Sequence, residues 1–421
     1  MKHSLSLAAC GLSLLGAAAQ ADDFDAGQYL FGDWGGSRAA LHDRGIDLNL
    51  GYTFEGAANL SGGQRHSQSH ADQTVLGARF DLGKLWGLDG GLFHFTLANR
   101  GGEAENLNAK AGIGELMESM EVYGRGRVTR IAEFYYEQRL GEFDLKLGRM
   151  NIGAEFGDFE CEFTYLGFCG SQPGNFNGTL YNWPISQWAA VARYQLAPDW
   201  SLKGGIYQMN PSWLENAQRL NFGNPKGTQG YSLPLELAWT PSLKGLPGSY
   251  KLGYWHDSVG GADLFEDQNG QPLALSGEQG RRHGSKDGAY FVFDQQITAA
   301  GGDKSRGLSL FAMGTVNDRD ITTVDRSLAF GLNYQGPFAA RPQDKWGLAA
   351  KYLHVSRRLA DSQRLQGAPV QGEEMVLASY YKFQLTPYLV LRPEIQYLRH
   401  PGGLDENDDA WVAALKGSVS F

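Results

Sequence analysis

In the segment 130–140, Glu133, Tyr135, Glu137 and Arg139 stand at every second position. An extended chain sends alternate side chains to opposite faces, so these four share one face. Two carboxylates, a guanidinium and a phenol offer donors, acceptors and one aromatic surface. Such groups suit reversible hydrogen bonding to a polar solute, with charge assistance. Arg79, His94 and Arg193 fall on the corresponding face of nearby segments, and Arg392 and Glu394 on that of a later one. No GxSxG, HExxH or Walker-type motif accompanies them. A hydrolase built on the same scaffold stands as the alternative of a different class. His66 and His70 lie in a Gly/Ser/Gln-rich stretch without a third ligand nearby, so neither a metal nor a cofactor is expected.

These residues need extended elements to hold them, and the chain is full of such elements. Apolar and polar residues alternate near 46–58, 73–83, 89–100, 130–140, 143–151, 186–197, 199–209, 230–241, 248–259, 287–297, 305–317, 325–336, 344–356, 373–386, 387–399 and 409–421. Joints after even-numbered segments are mostly tight, as in LGEF at 140–143 and LTPYL at 385–389. Joints after odd-numbered segments are mostly long: 101–129, 152–185, 210–229, 260–286 and 357–372. An even number of strands, short turns at one end and long loops at the other predict an all-β, transmembrane antiparallel barrel of about sixteen strands. Trp86, Trp200, Trp239 and Tyr388 sit beside the short turns, where an aromatic girdle would meet headgroups.

Both termini agree with a membrane barrel. Residues 1–21 read as a secretory signal peptide, with Lys2 and His3, a Leu/Ala-rich stretch and a small-x-small site at Ala19–Ala21. The final strand, AWVAALKGSVSF, places Trp411, Ala413, Leu415, Gly417, Val419 and Phe421 on one face. It must pair with the first strand near Ile46 to leave no open edge. The 37 Lys and Arg are outnumbered by 46 Asp and Glu, which disfavours nucleic acid as a partner. Arg149 breaks the pattern. Alternation with Phe143, Leu145 and Leu147 aims it at lipid, where a mid-membrane Arg costs about 2–4 kcal/mol. Either it lies near the outer headgroups, or a bulge at Gly148 turns it inward.

The block FGDWGGSRAALHDRG at 31–45 resembles the N-terminal signature of carbohydrate-selective porins of the OprB type. The resemblance rests on Phe31, Gly32, Asp33, Trp34, Gly35, Gly36, Arg38, Leu41 and Gly45, with echoes in LGRMN (147–151), NWPISQW (182–188), YQMNPSW (207–213) and the Cys161/Cys169 pair. It implies an outer-membrane channel passing glucose and other small sugars, with sugar, outer-membrane lipid and lipopolysaccharide as partners. It also implies the inward placement of Arg149. The terminal aromatic resembles the signal read by the barrel-assembly machinery. The sequence leaves self-association open. Ser37–Arg44 reads as a short periplasmic helix stopped by Gly45, within an N-terminal segment 22–45 that precedes the barrel at 46–421.

By analogy with general porins, 152–185 is expected to fold into the lumen as a constriction loop. Its Asp158 and Glu160 would face an arginine-bearing wall, and Trp183 would offer an aromatic face to a sugar ring. The expected contacts are therefore Arg79, His94, Glu133, Tyr135, Glu137, Arg139, Arg149, Asp158, Glu160, Trp183, Arg193, Arg392 and Glu394. Cys161 and Cys169 are the cysteines left after signal cleavage. In an oxidising compartment they should close a small ring within that loop. A general diffusion or anion-selective porin is the alternative within the class.

Overall fold

The computed structural model describes residues 24–178 and 180–421. The expected signal segment 1–21 lies outside the described residues. Sixteen antiparallel strands, numbered here in chain order, close into a barrel. They are β1 Ile46–Ser61, β2 Gln68–Asp81, β3 Gly91–Gly102, β4 Thr129–Leu140, β5 Phe143–Met150, β6 Gln187–Ala197, β7 Trp200–Met209, β8 Gly230–Trp239, β9 Leu246–Asp257, β10 Lys286–Gln296, β11 Gly307–Asn317, β12 Val324–Gln335, β13 Lys345–Val355, β14 Glu373–Thr386, β15 Leu389–Arg399 and β16 Ala410–Ser420. Every strand pairs with its sequence neighbours, and β16 returns to β1 along Gly51–Ser61. No strand edge is left for lipid to meet, as a membrane demands.

Alternation decides which side chain faces where. Leu147, Leu252, Leu328, Phe330 and Leu415 stand exposed on the outer surface. Between them, Glu55, Glu236, Lys351 and Lys416 point inward and are buried. At the short-turn end Trp200 stacks on Trp239 at 5.5 Å and Trp239 meets Tyr250 at 5.2 Å. This is an aromatic girdle at one membrane boundary.

A short helix, α1 Ser37–Asp43, crosses the same end of the barrel. Gly45 stops it at φ +89°, and a Cβ there would lie 2.9 Å from the Cβ of Lys84, so glycine alone fits. The helix does more than cover the end. Arg38 is buried and donates to the Leu48 carbonyl of β1 at 2.6 Å and to the Phe421 carbonyl beyond β16 at 2.8 Å. Its guanidinium lies 3.2 Å from the Tyr29 ring centroid. Leu30 N–H donates to the Ser420 carbonyl at 2.8 Å, and Phe31 packs on Phe421 at 5.2 Å. One side chain thus bridges both strands of the closing seam.

Candidate channel constriction

Two loops fill much of the lumen. The segment between β5 and β6 enters it, as expected. The segment between β3 and β4, residues 103–128, enters as well, which the sequence reading missed. Met117, Met120 and Val122 from the latter join Phe163, Tyr165 and Phe168 from the former in one buried cluster with Tyr290, Phe311 and Tyr380 of the wall. The loops also bond each other, through Glu121 N–H to the Thr164 carbonyl and Leu166 N–H to the Glu118 carbonyl, both at 2.8 Å. A string of apolar residues in a long polar loop was the available signal. Met117, Met120 and Val122 lie close together in sequence and are buried in one cluster. Cys161 and Cys169 are joined as a disulfide around the buried Phe163 and Phe168.

Ion pairs fasten the β5–β6 loop to the wall. Glu155 meets Lys146 at 2.6 Å, Asp158 meets Lys251 at 2.7 Å, and Glu160 meets Lys345 at 2.8 Å. Glu162 sits among three cations: Lys345 and Lys382 at 2.9 Å each, and Arg392. Burial alone would raise the Glu162 carboxyl, but these cations outweigh it and hold it well below the usual carboxylate range. Burial opposes ionisation of Asp158 too, and Lys251 and Lys203 prevail there. The wall facing the loop acids is therefore mainly lysine, where arginine was expected. Lys203, Lys251, Lys345 and Lys382 lie on inward positions of β7, β9, β13 and β14, and that alternation could have revealed them.

The structure sorts the expected contacts into three groups. Arg79, Arg139 and Arg193 lie on the inner wall and stay accessible, at 35%, 29% and 37% of their side-chain surface. Each has a carboxylate beside it: Asp47 at 2.6 Å, Glu137 at 3.1 Å and Asp144 at 3.4 Å. Asp158 and Glu160 keep 35% and 40% on the loop side. Trp183 is partly buried and donates to Gln73 Oε1 at 2.7 Å, beside Val75 and Ala98. Glu133 accepts from the Thr96 hydroxyl at 2.7 Å.

A second group faces inward yet is covered. His94 stacks on Tyr135 at 4.4 Å, and Tyr135 packs with Ile152 and Phe156 at the foot of the loop. Glu137, 4% accessible, lies between His94 and Arg139. Arg392 is buried against Glu162, and Glu394 accepts from the Thr164 N–H at 2.8 Å and hydroxyl at 2.9 Å. These five were expected to touch solute. Instead Tyr135, Arg392 and Glu394 are covered by loop residues that pack on or bond to them, and His94 and Glu137 are held among their wall neighbours.

Arg149 is the third case, and the expected inward bulge is not there. Its Cα pairs with Phe134 and Trp188, both on the lipid-facing row, in unbroken register. The membrane cost is avoided differently. Residues 210–229 fold down the outside of the barrel and cover it. Trp213 presents its ring 4.1 Å from the guanidinium, and Arg149 donates to the Asn221 carbonyl and, at 3.4 Å, to that of Ile131.

A closed sixteen-stranded barrel, apolar outside, aromatic-belted at its short-turn end and narrowed by inward loops, is an outer-membrane porin. The comparisons with known proteins give the family. The description "Carbohydrate-selective porin, OprB family" matches residues 65–421, and the chain belongs to that family. The match starts after 31–45, so the barrel body carries it. Porin B of Pseudomonas aeruginosa is 40% identical over 440 residues, covering 99% of this chain and 96% of the relative. A protein named putative porin QuiX, from Acinetobacter baylyi, is 32% identical over the full length of both chains. The high-pH structure of Pseudomonas putida OprB superposes with a TM-score of 0.91 at 38% identity, covering 95% of this chain and all of that one. The chain is an outer-membrane sugar porin of the Gram-negative type.

Proposed function

We propose that small neutral sugars of glucose size cross between the two inward loops and the wall of β1–β6. Arg79, Arg139 and Arg193 would donate to hydroxyls, Asp158, Glu160 and Glu133 would accept, and Trp183 would lie against the ring. One observation carries this reading: the three accessible arginines are each balanced by an adjacent carboxylate. Paired charges keep the passage rich in hydrogen-bonding groups without the net field that draws ions. A ladder of unbalanced cations would favour anions, and a wide lumen would favour general diffusion. Each contact stays modest, because passage needs release as much as capture.

The segment 22–45 is proposed as a periplasmic cap, and the C-terminal strand as the part read by the assembly machinery. Liposome swelling tests the sugar path by comparing glucose with a neutral non-sugar of equal size. Wild type should favour glucose. The Arg79→Ala, Arg139→Ala, Arg193→Ala triple variant should lower that ratio about five-fold for each 1 kcal/mol of lost hydrogen bonding. An unchanged ratio would favour a general diffusion pore.

A further inference from the structure

The loop 210–229 turns outward, and its tip reaches below the outer rim of the barrel. Phe222 packs on Phe95 and Phe134, at 6.4 and 5.2 Å between ring centroids. Trp188 donates to the Gly223 carbonyl at 2.9 Å. Phe95, Phe134, Arg149 and Trp188 form one paired row across β3–β6 on the lipid-facing side. Further out along β3 and β4 come Leu97 and Ile131, and then Asn99, which donates to the Thr129 hydroxyl at 2.9 Å. That polar pair marks the rim. The loop therefore lies against the wall at the depth of the outer leaflet.

Its free surface combines two chemistries. Leu220 and Phe222 are exposed large apolar residues. Exposed cations stand on the same segments: Arg219 and Lys226 on this loop, and Arg127 at the adjoining end of 103–128. The two segments are tied together by Arg130, which donates to the Trp213 carbonyl at 3.3 Å and the Arg125 carbonyl at 2.7 Å. None of these three cations has an ion-pair partner among the described residues, although the chain carries a formal charge of −9. Glu215 is the single carboxylate on the loop.

We propose that this patch binds the phosphorylated headgroup of an outer-leaflet lipid, with its acyl chains lying along Leu220 and Phe222. Arginine and lysine at a membrane surface attract anionic headgroups, and guanidinium forks match phosphate oxygens. The charge also argues against a second copy of the chain. A two-fold interface would set the same cations against one another.

Lipid A is the probe. The mature protein is purified in mild detergent, stripped of lipid and placed in phosphatidylcholine nanodiscs doped with lipid A. Native mass spectrometry then counts lipid A retained per barrel. Wild type should retain it, and so should Lys304→Ala, which removes a cation at the opposite end. The Arg127→Ala, Arg219→Ala, Lys226→Ala triple variant should lose retention by about ten-fold or more, since each juxtamembrane cation contributes roughly a five-fold factor. Heat-modifiability of the variant checks that it folds, and Arg219→Ala alone should give a smaller loss in the same direction. Equal retention by wild type and triple variant would overturn the proposal. So would a wild-type oligomer that the triple variant dissolves, which would make the patch a subunit interface.

Discussion

Replacing Glu162 by alanine should raise the channel's ion conductance, make it fluctuate and weaken its preference for sugars. The side chain is 2% accessible and is shared by Lys345, Lys382 and Arg392. Removing one partner of a buried ionic cluster typically costs about 3–5 kcal/mol, because the remaining charges stay desolvated and unpaired. Such a loss shifts the balance between docked and released loop by roughly a hundred- to several-thousand-fold. The barrel itself should persist. The loop keeps its bonds from Thr164 to Glu394, from Tyr165 to Glu374 and from Lys251 to Asp158. Glu162→Gln, which keeps hydrogen bonds but loses the charge, should fall between. Single-channel recording reads the effect, and unchanged conductance in the alanine variant would refute the anchoring role. The same pairing sets a pH window. The folded carboxyl is held below its ordinary value, so its contribution is complete above about pH 4.3 and fades as pH falls through the depressed value. Wild-type conductance should therefore stay flat from neutral pH down to that range.

Arg38→Ala should destabilise the closed barrel strongly while leaving the constriction untouched. It would strand the Leu48 and Phe421 carbonyls at the seam, at about 1–3 kcal/mol each, and remove a stacked cation worth about 0.5–2 kcal/mol. The temperature at which the folded form converts to the unfolded form on electrophoresis should drop clearly. Arg38→Lys should rescue only in part, because one ammonium cannot reproduce a fork that reaches two strands. Glucose passage per folded channel should match wild type. If Arg38→Ala unfolds at the wild-type temperature, the helix is only a cover.

Most of the barrel was legible because a membrane restricts the choices. Every strand needs an apolar face, so the two-residue period survives even where propensity is weak. Each of the sixteen expected segments became a strand, with bounds shifted by a few residues. The site was less legible, for a definable reason. Alternation tells which face of a strand looks inward, but not which inward residues a loop will later cover. Tyr135, Arg392 and Glu394 were placed on the correct side and still lie beneath a loop. Arg149 shows the converse. Its outward aim could be read directly, and the reading failed by assuming that nothing but lipid could lie outside the wall. The segment 103–128 was missed because a loop's path depends on long-range contacts, such as Val122 N–H to Glu55, which no local pattern encodes.

In the proposed mechanism, sugar and ions share one narrow, hydrogen-bonding passage between the inward loops and the arginine-bearing wall. Single-channel conductance in planar bilayers, measured as glucose is added to a fixed salt solution, distinguishes a shared passage from separate ones. Ion current should fall saturably with glucose, not with a size-matched non-sugar, and the fall should be smaller in the triple arginine variant. An ion current that ignores glucose, or that falls equally with both solutes, would contradict the proposed mechanism.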